Sequence, residues 1–214
     1  MNLEGVENFK YLGSTVTADN KVEEESKIRI ASGVRSAGAL NNILKSRIVS
    51  RKTKEQMYTT IIRPIVTYGG ETWRLTKEQE RRLLVFENGI LRRIWGPVFD
   101  VEEGTWRRRH NEELKQLSEV PLITNFLRSQ RLRWAGHVAR MGDDRMAKGV
   151  MFRKPQGRRP LGRPRMRWMD NIRKDVELLG MEDPDRWWDV ALDRGEWREL
   201  MRVARDHMGP EPAE

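Results

Sequence analysis

Five arginines crowd the stretch "GRRPLGRPRMRWMDN", Gly157 to Asn171: Arg158, Arg159, Arg163, Arg165 and Arg167. A guanidinium fork matches two phosphate oxygens at once, which a lysine ammonium does not. The stretch sits inside a longer basic run. Between Arg128 and Lys174, fifteen Lys and Arg stand against three acids, Asp143, Asp144 and Asp170. That surplus exceeds the +9 of the whole chain, so the remainder is slightly acidic. A solvated helix face mixes signs, and this run does not. Trp134 and Trp168 lie within it, either as core anchors or as platforms for stacked bases.

Other chemistries suggested by the same region fail on mechanism. Gly157 to Arg163 imitates a phosphate-cradling loop with Arg for Lys. Pro160 removes a backbone donor there, and Pro164 stands where Mg²⁺ needs a hydroxyl. "GRPR", Gly162 to Arg165, has the core of a minor-groove hook, but Leu161 occupies a flank where a basic or small residue is usual. "MGDD", Met141 to Asp144, imitates the paired carboxylates of a polymerase. A helical, Arg-rich run precedes it and Arg145 follows, so it reads as a helix end with surface acids. His110, His137 and His207 have no partners at metal-ligand spacing. No nucleophile-and-base set emerges.

The chain has 214 residues, 37% apolar and 34% charged, with eight Trp and no Cys. Its pI of about 10.1 points to a polyanionic partner. Without Cys there are no disulfides, thiolate metal sites or thiol nucleophiles. The start "MNLEGVENFKYLG" lacks the pattern of a signal peptide. No apolar stretch approaches the ~20 residues that span a bilayer. The expected location is intracellular and nuclear, with no membrane partner.

The elements that would position these groups are mainly helical. "NFKYLGSTVTADN" is the one convincing β signal, closed by Asp19-Asn20, and a lone ribbon implies a larger sheet. Ile30, Val34, Ala37, Leu40, Leu44 and Ile48 keep helical spacing. Ser50 caps a second helix with Met57, Tyr58, Ile61, Ile62 and Ile65 on one face, bent or ended near Pro64. Thr76 caps a third, striped by Leu83, Phe86, Ile90 and Ile94 and stopped at Gly96-Pro97. "GPVFDVEEGT" reads as a connection and "WRRRHNEELKQLS" as a short helix. A longer helix follows with Ile123, Leu127, Trp134, Val138 and Met141 on a face, then an irregular Arg-rich tether over 142–164. A helix from about Arg165 ends at Gly180. The last begins after Asp183-Pro184, docks through Trp187, Val190, Trp197, Leu200 and Met201, and breaks at Gly195. No internal repeat is found.

Six stretches in order, "FKYLGSTVT", "RKTKEQMYTTIIRPIVTYGGETW", "ENGILRRIWGPVFD", "RHNEELKQL", "RLRWAGHVARM" and "GRRPLGRPRMRWMDNIRKDV", carry a resemblance across nearly the whole chain. They resemble the C-terminal part of a LINE-like, non-LTR retrotransposon endonuclease-reverse transcriptase. The resemblance implies a palm-end primer-grip ribbon over 1–22, a helical thumb over 23–100 and a basic helical C-terminal region over 101–214. Phe9, Tyr11, Leu12 and Gly13 match the primer-grip motif. The family's aromatic-X-Asp-Asp motif, its earlier metal-binding Asp and its endonuclease domain are not found in these residues. The implied role is therefore non-catalytic: holding RNA or DNA (template–primer duplex or target DNA) beside the palm and endonuclease parts of a parent polymerase. The Mg²⁺ requirement belongs to that parent, and no cofactor is expected on this chain.

Expected phosphate contacts are Arg158, Arg159, Arg163, Arg165 and Arg167, then Arg131 and Arg133, with Lys27, Arg29 and Arg35 facing the duplex from the first thumb helix. Two competing readings are an inert or protein-interacting remnant, and a polymerase using Asp143 and Asp144. The family usually has Cys where Gly70 stands in "YGGETW", and larger residues where Ala37-Gly38 stand. Small residues there predict cavities or a helix cost on the order of 1 kcal/mol for Gly.

Overall fold

The structure, a computed structural model, describes residues 5–18, 22–152 and 167–207. Strands β1 (Asn8–Tyr11) and β2 (Ser14–Thr17) pair antiparallel, Phe9 opposite Val16 and Tyr11 opposite Ser14. Their two-residue turn has Leu12 at φ 45° and Gly13 at φ 84°. Two positive φ values give the turn whose twist suits a hairpin. Gly13 adopts its value freely, whereas Leu12 must be held there. The predicted ribbon is present and turns at Leu12-Gly13; Asp19 and Asn20 lie outside the described residues.

Helix α1 (Glu23–Ala39) uses only part of the expected stripe. It buries Ser26, Gly33 and Ala37, and Leu44 of α2 (Asn41–Lys45) is fully buried, while Val34 is exposed and Ile48 is 97% exposed. Val34 lies to one side of the face set by Ser26, Gly33 and Ala37, and Ile48 falls beyond the point where α1 stops and α2 begins anew. The expected cavity at Ala37-Gly38 is also absent. Ala37 is fully buried, and a Cβ on Gly38 would meet open space. Gly33 is the close approach, since a Cβ there would lie 2.3 Å from Val66 and 2.9 Å from Phe86.

Ser50 caps α3 (Arg51–Met57), its Oγ accepting from the Thr53 N–H at 3.1 Å. The helix widens into a π turn over Tyr58–Ile62 before α4 (Arg63–Val66). Pro64 has no N–H to donate and its ring crowds the preceding turn, and the widened turn accommodates both. The inward residues are Tyr58, Ile62 and Val66, with Ile61 exposed. Helix α5 (Lys77–Trp95) follows the sequence closely. Thr76 and Gln79 form its capping box, Gly96 ends it, and Leu83, Phe86, Ile90 and Ile94 are all buried.

The stretch read as a connection is instead a hairpin, β3 (Val98–Asp100) with β4 (Thr105–Arg107). Arg107 closes it, pairing with Asp100 at 2.9 Å and with Glu113 at 2.8 Å. Helix α6 (Asn111–Leu117) then buries Leu114.

The chain forms two compact units, Met1–Gly69 with Leu75–Thr124, and Gly70–Arg74 with Asn125–Glu214. Residues 101–124 join the first unit because Arg92 of α5 donates to the Arg109 carbonyl at 3.0 Å and to Asn111. Residues 70–74 join the second because they supply carbonyls to its side chains. Trp73 O accepts from Arg131 at 3.1 Å and Glu71 O from Trp168 Nε1 at 2.9 Å.

The second unit continues α7 (Ile123–Ala139) with α8 (Met146–Phe152), α9 (Trp168–Leu178), α10 (Trp187–Leu192) and α11 (Arg194–His207). Part of the expected irregular tether is thus the helix α8, whose Met151 packs on the core; residues 153–166 lie outside the described residues. Leu132, Ala135, Ala139, Ile172, Val176, Trp187, Ala191 and Trp197 form that core. The break expected at Gly195 falls at Asp193, whose carboxylate accepts from the N–H groups of Gly195 and Glu196 and so caps α11. Gly70 leaves no void where the resemblance predicted one, since a Cβ there would lie 2.2 Å from Leu127.

Trp197 sets one expected result. A Cβ on Gly136 would lie 2.1 Å from its Nε1, which donates to the Leu132 carbonyl at 3.2 Å. Gly136→Ala therefore displaces the indole and costs about 1–3 kcal/mol as overpacking. Thermal melting should show Tm lower by several degrees with red-shifted Trp emission. Wild-type melting and emission would refute this packing.

Candidate nucleic-acid interface

A concentration of positive charge in the first unit comes from segments some forty residues apart. The end of α2, the linker to α3 and the C-terminal end of α5 line a groove of about 710 Å³. Lys45, Arg47, Arg51, Lys54, Arg92 and Arg93 face it, together with Trp95 and Pro97, and its lining contains no Asp or Glu. Local bonds fix this arrangement. Lys54 is buried and its Nζ donates to the Ser46 carbonyl at 2.6 Å, pinning the linker. Trp95 Nε1 donates to the buried Glu55 at 3.1 Å, and the Arg51 guanidinium lies 4.8 Å from the Trp95 ring centre. Burial and the neighbouring Arg108 charge pull the Arg92 guanidinium below its ordinary value. Crowded cations of this kind are relieved by an anion.

The residues expected from sequence are placed differently. On α1, Lys27 pairs with Glu23 at 2.9 Å, and Arg35 is exposed and donates to Ser32 Oγ at 2.8 Å. Arg29 pairs with Glu25 at 2.6 Å, stacks on Tyr68 at 4.5 Å and donates to the Gly13 carbonyl. Tyr68 donates its hydroxyl to the Leu12 carbonyl at 2.8 Å, and Glu25 accepts from the Thr15 N–H at 2.8 Å. Arg29 thus holds the Leu12-Gly13 turn, and the side chains of Phe9, Tyr11 and Leu12 are exposed.

Arg131 is buried, its fork on Asp175 at 2.7 and 3.4 Å and a third donor on Trp73 O. Its guanidinium is turned into the second unit rather than toward solvent, where a phosphate would meet it. Burial pushes the Asp175 carboxyl above the usual range, against the pull of Arg131 and Arg128. Arg133 and Arg167 are exposed, the Arg167 N–H donating to Asp170 at 2.6 Å where α9 begins. Arg158, Arg159, Arg163 and Arg165 lie outside the described residues. Trp168 packs against the core, and Trp134 is half-buried beside His137.

Asp143 is 95% exposed and pairs with Lys148 at 2.7 Å, which also donates to the Met141 carbonyl at 2.9 Å. That pairing draws the Asp143 carboxyl below its ordinary value. His110 donates its backbone N–H to Glu113 at 2.6 Å at the start of α6. Among the described residues, no three His, Asp or Glu are grouped to hold a metal ion, and no helix is long and apolar enough to cross a membrane.

Over 203 residues, covering 94% of this chain and 72% of the other, the sequence is 29% identical to a transposon-derived protein of Caenorhabditis elegans. That similarity supports a transposable-element origin. No protein-family model matches the chain, and no solved structure matches it. The basic groove had one sequence signal. "KSRIVSRKTK", Lys45 to Lys54, holds five cations and no acid. Charge summed over the whole remainder hides it, because acids such as Glu23, Glu24 and Glu25 lie elsewhere on the surface.

Proposed function

We propose that this chain is a non-catalytic, nucleic-acid-holding part of a retrotransposon reverse transcriptase. It grips the backbone of RNA or DNA without reading sequence, inside the cell and in the nucleus, beside the palm and endonuclease parts of the parent enzyme. The groove lined by six cations and no carboxylate carries this reading, because phosphate contacts supply affinity that is independent of base identity. Asp143, ion-paired with Lys148 on the surface, is suited to a helix turn rather than to phosphoryl transfer. In this reading, Mg²⁺ chemistry belongs to the parent polymerase.

The test is binding of the full chain to RNA and to duplex DNA of unrelated sequences across salt. Log affinity should fall linearly with log salt, by about 0.9 per neutralised phosphate on duplex and about 0.7 on single strands. Sequences should differ little. A folded chain that binds neither polymer would favour a protein-interacting remnant instead. The exposed Val6, Phe9, Tyr11, Leu12 and Val16 of the first ribbon are the observation behind that second reading.

A further inference from the structure

The β3–β4 hairpin has two unlike faces. On one, Arg107 is fixed by Asp100 and by both oxygens of Glu113. This hydrogen bonding to Arg107, with the His110 N–H, draws the Glu113 carboxyl down to about 2. On the other, Phe99 and Trp106 sit directly opposite in the register and meet edge to face at 5.4 Å. They are 46% and 70% exposed. An aromatic pair held by rigid strands and left in water is a poor use of apolar surface unless something covers it.

Position and charge indicate what covers it. Pro97 lines the basic groove, and β3 starts at the next residue. Two residues of chain span at most about 7 Å, so Phe99 lies roughly two stacked nucleotides from the groove's edge. The hairpin is also polarised. Its tip carries Glu102 and Glu103, while its base carries Arg108 and Arg109. A polyanion is therefore steered to the base and the groove, past the aromatic pair.

We infer that the ligand of the groove is single-stranded nucleic acid, whose phosphates lie along Arg47, Arg51 and Arg93 while a base stacks on Trp106. This rests on the backbone-binding reading and deepens it. Base–aromatic stacking tolerates any sequence, because every base has a π face. A base-paired duplex offers no such face except at its ends.

The test compares the full-length wild type, Trp106→Ala and Trp106→Phe on three probes: a 12-nucleotide strand, an abasic strand of equal length, and a duplex. Wild type should bind the base-bearing strand better than the abasic one. Trp106→Ala should lose about 5- to 150-fold on the base-bearing strand, the range for one stacked base. It should approach the abasic affinity with an unchanged salt slope. Trp106→Phe should keep most of the affinity, and duplex binding should not move. Trp106 is exposed, so both variants should melt as wild type. Equal affinity of wild type for abasic and base-bearing strands, or of Trp106→Ala and wild type for the base-bearing strand, overturns the stacking while leaving the groove intact. Failure of wild type to bind any probe overturns both.

Discussion

Gln at Arg47, Arg51 and Arg93 together is expected to flatten the log–log salt slope by about 2–3 and to weaken nucleic-acid binding roughly 10²–10³-fold near 0.1 M salt. The figure follows from three phosphate contacts at about 0.7–0.9 each. These three are chosen because two of the other groove cations are committed, and Lys45 is left in place. Lys54 is buried on the Ser46 carbonyl, and Arg92 is engaged by Arg109 and Asn111. Gln preserves the polar stem, and losing the Arg51–Trp95 contact costs only about 0.5–1 kcal/mol. The variant should therefore remain folded, which a melt verifies. Anisotropy titrations from about 50 to 200 mM salt read the result. Replacing Arg158, Arg159, Arg163, Arg165 and Arg167 is the matched comparison. A slope that falls with that set, and stays unchanged with the groove set, moves the binding surface from the groove to the tether.

The largest effect on stability is expected at Glu87, which is 1% exposed. Its carboxylate accepts from Tyr58 Oη at 2.7 Å, from Arg63 at 2.7 Å and from the Ile123 N–H at 2.8 Å. Arg63 also donates to the Pro121 carbonyl at 2.7 Å. Burial, reinforced by the Glu87 charge, holds the Tyr58 hydroxyl far above its ordinary pKa, so it donates at any working pH. Glu87→Ala removes the acceptor for all three donors and leaves the buried Arg63 charge without that carboxylate. Breaking a buried pair in this way costs about 3–5 kcal/mol. Urea denaturation of the full chain should show the unfolding free energy lowered by that amount, read as an earlier midpoint at unchanged m. The double variant Glu87→Leu, Arg63→Met should recover much of the loss, since an apolar replacement of both partners is often neutral. A single variant within about 1 kcal/mol of wild type would refute the node.

These two sites differ in how far the sequence announced them. Helix α5 was legible throughout, because its Thr76 cap, Gly96 stop and four apolar positions are all local signals. Glu87 sits among those positions and was missed, since apolar periodicity says nothing about a carboxylate that turns inward. Its partners at Tyr58, Arg63 and Ile123 are local to other elements and meet it only in three dimensions. The burial of Arg131 was hidden for a related reason. The residue was counted within the run that ends at Lys174, and its buried partner is the next residue, Asp175. On α1, Ala37 is buried as the stripe has it, but Val34 lies beside the face set by Ser26, Gly33 and Ala37, and the helix break at Leu40 resets the rotation before Ile48. The groove escaped because its cations come from "KSRIVSRKTK" and "LRRIWGP", whose adjacency only the fold supplies.

The turn at Leu12-Gly13 is gripped by Tyr68 and Arg29 through main-chain oxygens. None of the ribbon's outward side chains takes part in that attachment. Changes at positions 9, 11 and 16 therefore leave these main-chain anchors in place, whereas a change at Arg29 or Tyr68 removes one of them. The seat of the ribbon is written in residues that lie outside it.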